Sequence, residues 1–152
     1  TSTRLGVVCL TERFLPEEKE SEAALSALGA HIEKTLAEGL SGFPPGGEGL
    51  TAIGTAGTPT SLAAVELGLV KYDANLVNNY TLTRDGIVDI LDRILRTPRG
   101  ERAAIPGLEK GREDLIVSGT EVVLKTLDRF SVGGMVVSDA GLLEGVAYGL
   151  LL

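Results

Sequence analysis

Hydrophobic positions along the chain fall into two kinds of pattern. Leu25, Leu28, Ile32, Leu36 and Leu40 recur every three or four residues, with Glu33, Lys34 and Glu38 off that face, which predicts an amphipathic helix closed by Gly39 and Ser41-Gly42. Leu62, Val65 and Leu67 predict a second helix, for which Thr58 is the expected N-cap and Pro59 the first helical residue. Ile87, Ile90, Leu91, Ile94 and Leu95 form a third stripe, capped by Thr83 and broken at Thr97-Pro98-Arg99-Gly100. Two more helices follow: one over Leu115, Ile116, Val122, Val123 and Leu127, where Gly119 allows a close neighbour, and a last one over Leu142, Leu143, Val146, Ala147 and Leu150. Three short apolar runs lack that period and read as buried strands: Leu5 to Leu10, Leu50 to Ile53 and Gly133 to Val137. Residues 43–49 read as a loop, 75–82 as irregular, and the Glu17 to Glu22 charge run as a solvated helix start.

Strands separated by helices predict an α/β layer structure with the sheet buried on both faces. Ligands of such sheets gather at the carboxyl ends of strands, which selects two segments. In the first, Gly54-Thr55-Ala56-Gly57-Thr58, a strand runs through a glycine-bearing turn into a helix, offering free amides, two hydroxyls and the positive end of a helix dipole. A phosphate or nucleotide would suit it, and an ordinary βα turn is the competing reading. No Gly-Lys-Ser/Thr follows, and the glycine spacing is not that of a dinucleotide fingerprint. In the second, Ser138-Asp139-Ala140-Gly141-Leu142-Leu143-Glu144, the isolated Asp139 reads as a helix cap, and Glu144 as a first-turn charge or a partner in acid–base work.

Composition narrows the chemistry. The 152 residues carry 14 Lys and Arg against 21 Asp and Glu, a net charge of -7 with no basic stripe, which argues against nucleic-acid binding. Cys9 is the only cysteine and His31 the only histidine, so disulfides and Cys/His zinc clusters confined to this chain are excluded. Cys9 is expected to be a small buried thiol and His31 a boundary residue. No apolar run reaches membrane-spanning length and no signal-like start is present, so a cytoplasmic, non-membrane protein is the expectation. With apolar sequence near both ends, the chain reads as an excerpt of something longer.

The succession AIGTAGTPTSLAAVELGLVKYD, LTRDGIVDILDRIL, ERAAIPGLEKGREDLIVSG and VVSDAGLLEGVAYGLLL resembles the second domain of the exopolyphosphatase / guanosine pentaphosphate phosphatase (Ppx/GppA) family, and RLGVVCLTERF is similar to a strand of that domain. The resemblance implies a partial ribonuclease-H-like domain of the actin/sugar-kinase/heat-shock-chaperone (ASKHA) type, three-layered around a central mixed sheet, forming one domain over 1–152. It implies that phosphate or nucleotide contacts fall to Gly54, Thr55, Gly57 and Thr58, with Asp139 and Glu144 secondary, and that the helix from Gly141 to Leu150 connects the two domains. Arg102 and Arg112 match an Arg-rich stretch, or pair with Glu101, Glu113 or Asp114. The catalytic residues, and the ligands of a Mg²⁺ or other divalent cation, are implied to lie in a missing N-terminal domain. Substrates would be inorganic polyphosphate or guanosine pentaphosphate, and a homodimer is left open. Asn78 and Leu143 stand where the family more often has His and Arg, so a nucleotide-sensing or interaction domain without catalysis is the alternative.

Overall fold

The computed structural model describes residues 1–16, 20–44, 46 and 49–151. Its elements in chain order are helices α1 (Val7–Phe14) and α2 (Glu22–Gly39), strand β1 (Ala52–Thr55), helices α3 (Gly57–Glu66) and α4 (Ala74–Val77), strand β2 (Thr81–Thr83), helix α5 (Arg84–Arg96), a 3₁₀ segment (Arg99–Ala104), helix α6 (Ile116–Phe130), strand β3 (Gly134–Ser138) and helix α7 (Leu142–Gly149). The strands form one mixed sheet in the order β1-β3-β2, with β1 parallel and β2 antiparallel to β3.

Register shows which face is buried. Ala52 and Leu82 both lie beside Met135, and Gly54 beside Val137, so these five share one face. Leu82, Met135 and Val137 are buried there, and α3 packs against all three strands. Ile53, Val136 and Thr81 share the opposite face, where Ile53 is 69% exposed. Burial on both faces was expected; among the described residues the helices cover only one. Behind α3 lie α5 and α6, and α2 and α1 pack on α6. Leu28, Ile32, Leu62, Val65, Ile87, Ile94 and Val117 make this helical body a continuous core.

Several local expectations match. Thr83 caps α5 by accepting the Gly86 N–H at 3.0 Å, as expected; Ser21, for which no role was expected, caps α2 through the Ala24 N–H at 3.2 Å. Gly119 faces α3 so closely that a Cβ there would lie 2.5 Å from Thr58 Oγ1.

Other expectations need correction. Leu5 to Leu10 contributes to helix α1, which continues to Phe14. A six-residue apolar run carries no period long enough to separate strand from helix. Packing on α2 and α6 decides it: Leu10 and Thr11 face inward, and the Thr11 hydroxyl donates to Ser118 Oγ at 2.8 Å. Cys9, on the outer side of this helix, is exposed. His31 is partly buried against the Phe14 ring, with centroids 5.1 Å apart. Residues 75–82, read as irregular, overlap both α4 and β2. Asn79 takes a positive φ of 64° and donates its N–H to the Val137 carbonyl at 2.8 Å, turning the chain onto β3. The cap of α3 is Ala56 rather than Thr58, and Pro59 sits at the third helical position, where the missing N–H costs nothing.

Residues 17–19 of the charge run lie outside the described residues. Glu20 is not solvated. It receives Arg102 Nη1 and Nη2 at 2.7 and 2.8 Å, with side-chain exposures of 5% and 1%. Arg102 Nε also donates to the Ile94 and Thr97 carbonyls at 3.1 and 3.2 Å. Burial pushes the Glu20 carboxyl up, and hydrogen bonds from Arg102 and the backbone, with the charges of Arg102 and Arg99, bring it below the usual carboxylate range. Arg102 therefore ties the 3₁₀ segment to the start of α2 and to the end of α5 and pairs with Glu20 rather than with Glu101, Glu113 or Asp114; Asp114 pairs with Arg99 at 2.5 Å.

Candidate functional site

The carboxyl ends of β1 and β3 lie side by side, Thr55 in register with Ser138. Chain direction alone therefore brings the two segments singled out in the sequence to one place.

The β1–α3 turn is shaped by close approach. At Gly54 a Cβ would lie 2.5 Å from Met135 Sδ and 3.0 Å from Pro59, so only glycine lets β1 sit this near the sheet's methionine and the start of α3. Ala56 has φ 68° and ψ -167°, a region that a residue with a Cβ enters at a cost of about 1–3 kcal/mol. That peptide turns the chain sharply into α3. No hydrogen bond among the described residues uses the amides of Gly57 or Thr58, as the opening of a helix leads one to expect. Thr60, one turn on, donates its hydroxyl to the carbonyls of Ala56 at 3.0 Å and Gly57 at 3.2 Å.

Arg112 completes this corner. Its guanidinium lies against Gly57 so tightly that a Cβ on that residue would run into it. Gly111, at φ 88°, turns the chain just before, and Arg112 Nε donates to Glu109 Oε2 at 2.6 Å. A cation beside a helix N-terminus gains nothing from the dipole. Together they make a compact positive corner, partly neutralised by Glu109, whose chemistry is anion binding.

The sequence candidates take distinct places around it. Gly57 and Thr58 supply the open amides, while the Thr58 side chain packs on Gly119 of α6. Gly54 and Thr55 are strand residues, and the Thr55 hydroxyl donates to the Ala140 carbonyl at 2.8 Å. Asp139 caps no helix: it accepts a short hydrogen bond from the Tyr72 hydroxyl, and its own N–H donates to Asn78 Oδ1 at 3.1 Å. Burial, then the hydrogen bond to Asp139 and its charge, push the Tyr72 hydroxyl up to about 12, so it remains a proton donor. Thr60 and Glu109 also bear on Tyr72, which links this pair to the Arg112 corner. Glu144, at the third position of α7, reaches back to accept the N–H of the N-cap Gly141 at 2.7 Å; that bond and its own backbone N–H hold its carboxyl below the usual range.

Sequence reasoning ranked Arg112 low, singled out Asn78 only as a departure from the family pattern, and missed Tyr72. The quoted Tyr72-Asp73 segment was a signal, but nothing local says that Tyr72 meets Asp139, 67 residues on. No group of three or more His, Cys, Asp or Glu side chains is placed to hold a metal ion among the described residues. Among the same residues, no helix is long and apolar enough to cross a membrane.

The full length of this sequence, residues 1–152, matches the Ppx/GppA phosphatase family. The chain belongs to that family. It is 27% identical to Exopolyphosphatase 2 of Mycobacterium tuberculosis over 98% of this chain and 48% of that protein. It is also 29% identical to a bifunctional 3-dehydroquinate synthase/phosphatase of Fusobacterium nucleatum, over 95% of this chain and 22% of that one. Among solved structures, the type II variant of the Aquifex aeolicus Ppx/GppA phosphatase superposes with a TM-score of 0.90 at 31% identity, covering 100% of this chain and 49% of that one. An exopolyphosphatase-like protein gives 0.89 at 28% identity, over 100% and 51%. The fold class is thereby the α/β, ASKHA-type domain of Ppx/GppA phosphatases, and the chain spans about half the length of the exopolyphosphatase and of the two solved structures.

Proposed function

We propose that this chain is most of the second domain of a two-domain cytoplasmic hydrolase that releases phosphate from inorganic polyphosphate or from guanosine pentaphosphate. Its part is to bind phosphate on one wall of the cleft. The observation that carries this reading is the corner where Arg112 lies on Gly57 beside the open amides of Gly57 and Thr58. A phosphoryl group needs several donors and a countercharge from one direction, and that corner supplies both. Hydrolysis also needs an oriented water, a base and charge neutralisation at the transferring phosphoryl group. Asp139 is engaged by Tyr72 and Glu144 by the Gly141 amide, so neither is a free base here. We therefore assign the catalytic residues, and the ligands of a Mg²⁺ ion if one serves, to the remaining part of a protein of the relatives' length. That part also covers the open sheet face in this reading.

Calorimetric titration with inorganic tripolyphosphate tests the wall. The 152-residue chain is expected to bind it, Arg112→Gln to bind about tenfold or more weakly, as loss of a charged hydrogen bond predicts, and Gly57→Ala to bind weakly because its Cβ displaces the guanidinium. Failure of the unmodified chain to bind overturns the assignment. Phosphate release is expected only when the chain is joined to the remaining domain, and comparing polyphosphate with guanosine pentaphosphate there identifies the substrate. Binding with no turnover even in that longer protein would favour the nucleotide-sensing alternative.

A further inference from the structure

Helix α7 has no buried residue, and Leu142, Leu143 and Leu150 are all more than 80% exposed. An isolated eight-residue helix is marginal in water. What gives α7 a direction is therefore its attachment, and that attachment is polar. Glu144 accepts the Gly141 N–H at 2.7 Å. The Ala140 carbonyl accepts two hydroxyls, from Thr55 at 2.8 Å and from Ser138 at 3.1 Å. Asp139 is held twice, its carboxylate by Tyr72 and its N–H by Asn78 at 3.1 Å. The partners of Asp139 and Ala140 come from the end of β1, the end of β3, the cap of α4 and the link before it, so four places in the chain converge on two consecutive residues.

We infer that the β3–α7 turn is a polar latch that sets the direction in which α7 leaves the sheet, and that Thr55 couples this latch to occupancy of the β1–α3 turn. A hydroxyl has one proton to donate. Phosphoryl oxygens only accept, so an anion that engages Thr55 takes the proton now given to Ala140, and the carbonyl keeps Ser138 alone. Coupling of this kind is reciprocal: what loosens α7 favours the anion by the same factor. Tyr72, Asn78 and Thr55 are then positioning residues. The latch itself stands on the hydrogen bonds above; its coupling to an anion rests on the phosphate reading of the β1–α3 turn.

Hydrogen exchange of α7 amides, followed from milliseconds on the whole chain, separates the two. Without ligand, Tyr72→Phe and Thr55→Val are each expected to speed exchange over 145–148 about fivefold, the loss of roughly one net hydrogen bond, while α5, α6 and β3 keep their rates. Thr55→Ser, which retains the hydroxyl, is expected to exchange like the unmodified chain. Unchanged α7 rates in both variants, or acceleration that spreads through α5 and α6, overturn the latch. Saturating tripolyphosphate is expected to speed α7 in the unmodified chain and to change nothing further in Thr55→Val. Binding shown by calorimetry with no effect on α7 overturns the coupling alone; no binding at all overturns the coupling together with the phosphate reading, and leaves the ligand-free result to judge the latch.

Discussion

On one face of the sheet, Leu82, Met135 and Val137 are sealed under α3, and the helical body behind it is closed down to a bidentate Arg102–Glu20 pair with almost no exposure. On the other, Ile53, Thr55 and Thr81 of the same strands meet solvent, and α7 projects beyond them with every apolar side chain exposed. Phe43, Leu50, Ile53, Phe130 and Val132 line an apolar groove beside β1. Adjacent residues of one strand thus belong to different regimes. Where a side chain has lost its water, each contact carries stability; where it has not, the same residue type serves recognition and costs the isolated chain little.

The sharpest way to break this comparison is Arg102→Ala. Leaving the Glu20 carboxylate buried without its partner is expected to cost about 3–5 kcal/mol in urea unfolding, enough to consume much of a domain's stability. A cost below about 1 kcal/mol, the value of a surface pair, would show the body to be more open than described. Next comes a matched pair of substitutions. Leu82→Ala should cost about 2–5 kcal/mol, whereas Ile53→Thr on the same sheet should stay within about 0.5 kcal/mol in this chain. Equal effects would mean that the open face is covered in solution.

Acid titration follows. A carboxyl held below its unfolded value contributes stability that is fully present above the unfolded pKa of about 4.3 and is lost as pH falls through the lower folded value. Glu20 and Glu144 both have that sign. Glu121 has the opposite one, raised mainly by burial, so its share is lost as pH rises. Urea midpoints should therefore fall below about pH 4.3, and Glu20→Gln should lower the neutral-pH midpoint and flatten that acid limb. An acid limb unchanged by this substitution would remove Glu20 from the account. A gain rather than a loss is expected at Ala56. Glycine relieves its positive φ, and Ala56→Gly should gain about 1 kcal/mol. A loss instead would mean that the methyl group packs usefully at the mouth of the turn.

Legibility differed between elements for physical reasons. The helices α2, α5 and α6 repeat their period over several turns, and their caps and breakers, Ser21, Thr83 and Pro98, act through neighbours within a few residues. Residues 5–10 offered too few positions for a period, and packing on α2 and α6 chose helix over strand. The three residues of β2 hold no pattern of their own, and β3 supplied their register. At the site, the glycine turn after β1 was visible because strand, turn and helix are local chemistry. Arg112 reached Gly57, and Tyr72 reached Asp139, through contacts spanning tens of residues that no local preference encodes.

By itself, then, the amino-acid sequence determined the family, the long helices α2, α5 and α6, and the glycine turn that opens α3. All of these follow from short-range sterics, helical period and the order of motifs. Only the tertiary structure decided that, among the described residues, helices close one face of the sheet alone, that Arg102 serves the core while Arg112 lies at the candidate site, and that the β3–α7 turn is held by partners from elsewhere in the chain. Those outcomes depend on which surfaces lose water and which charges meet, and both are set by the packed chain as a whole.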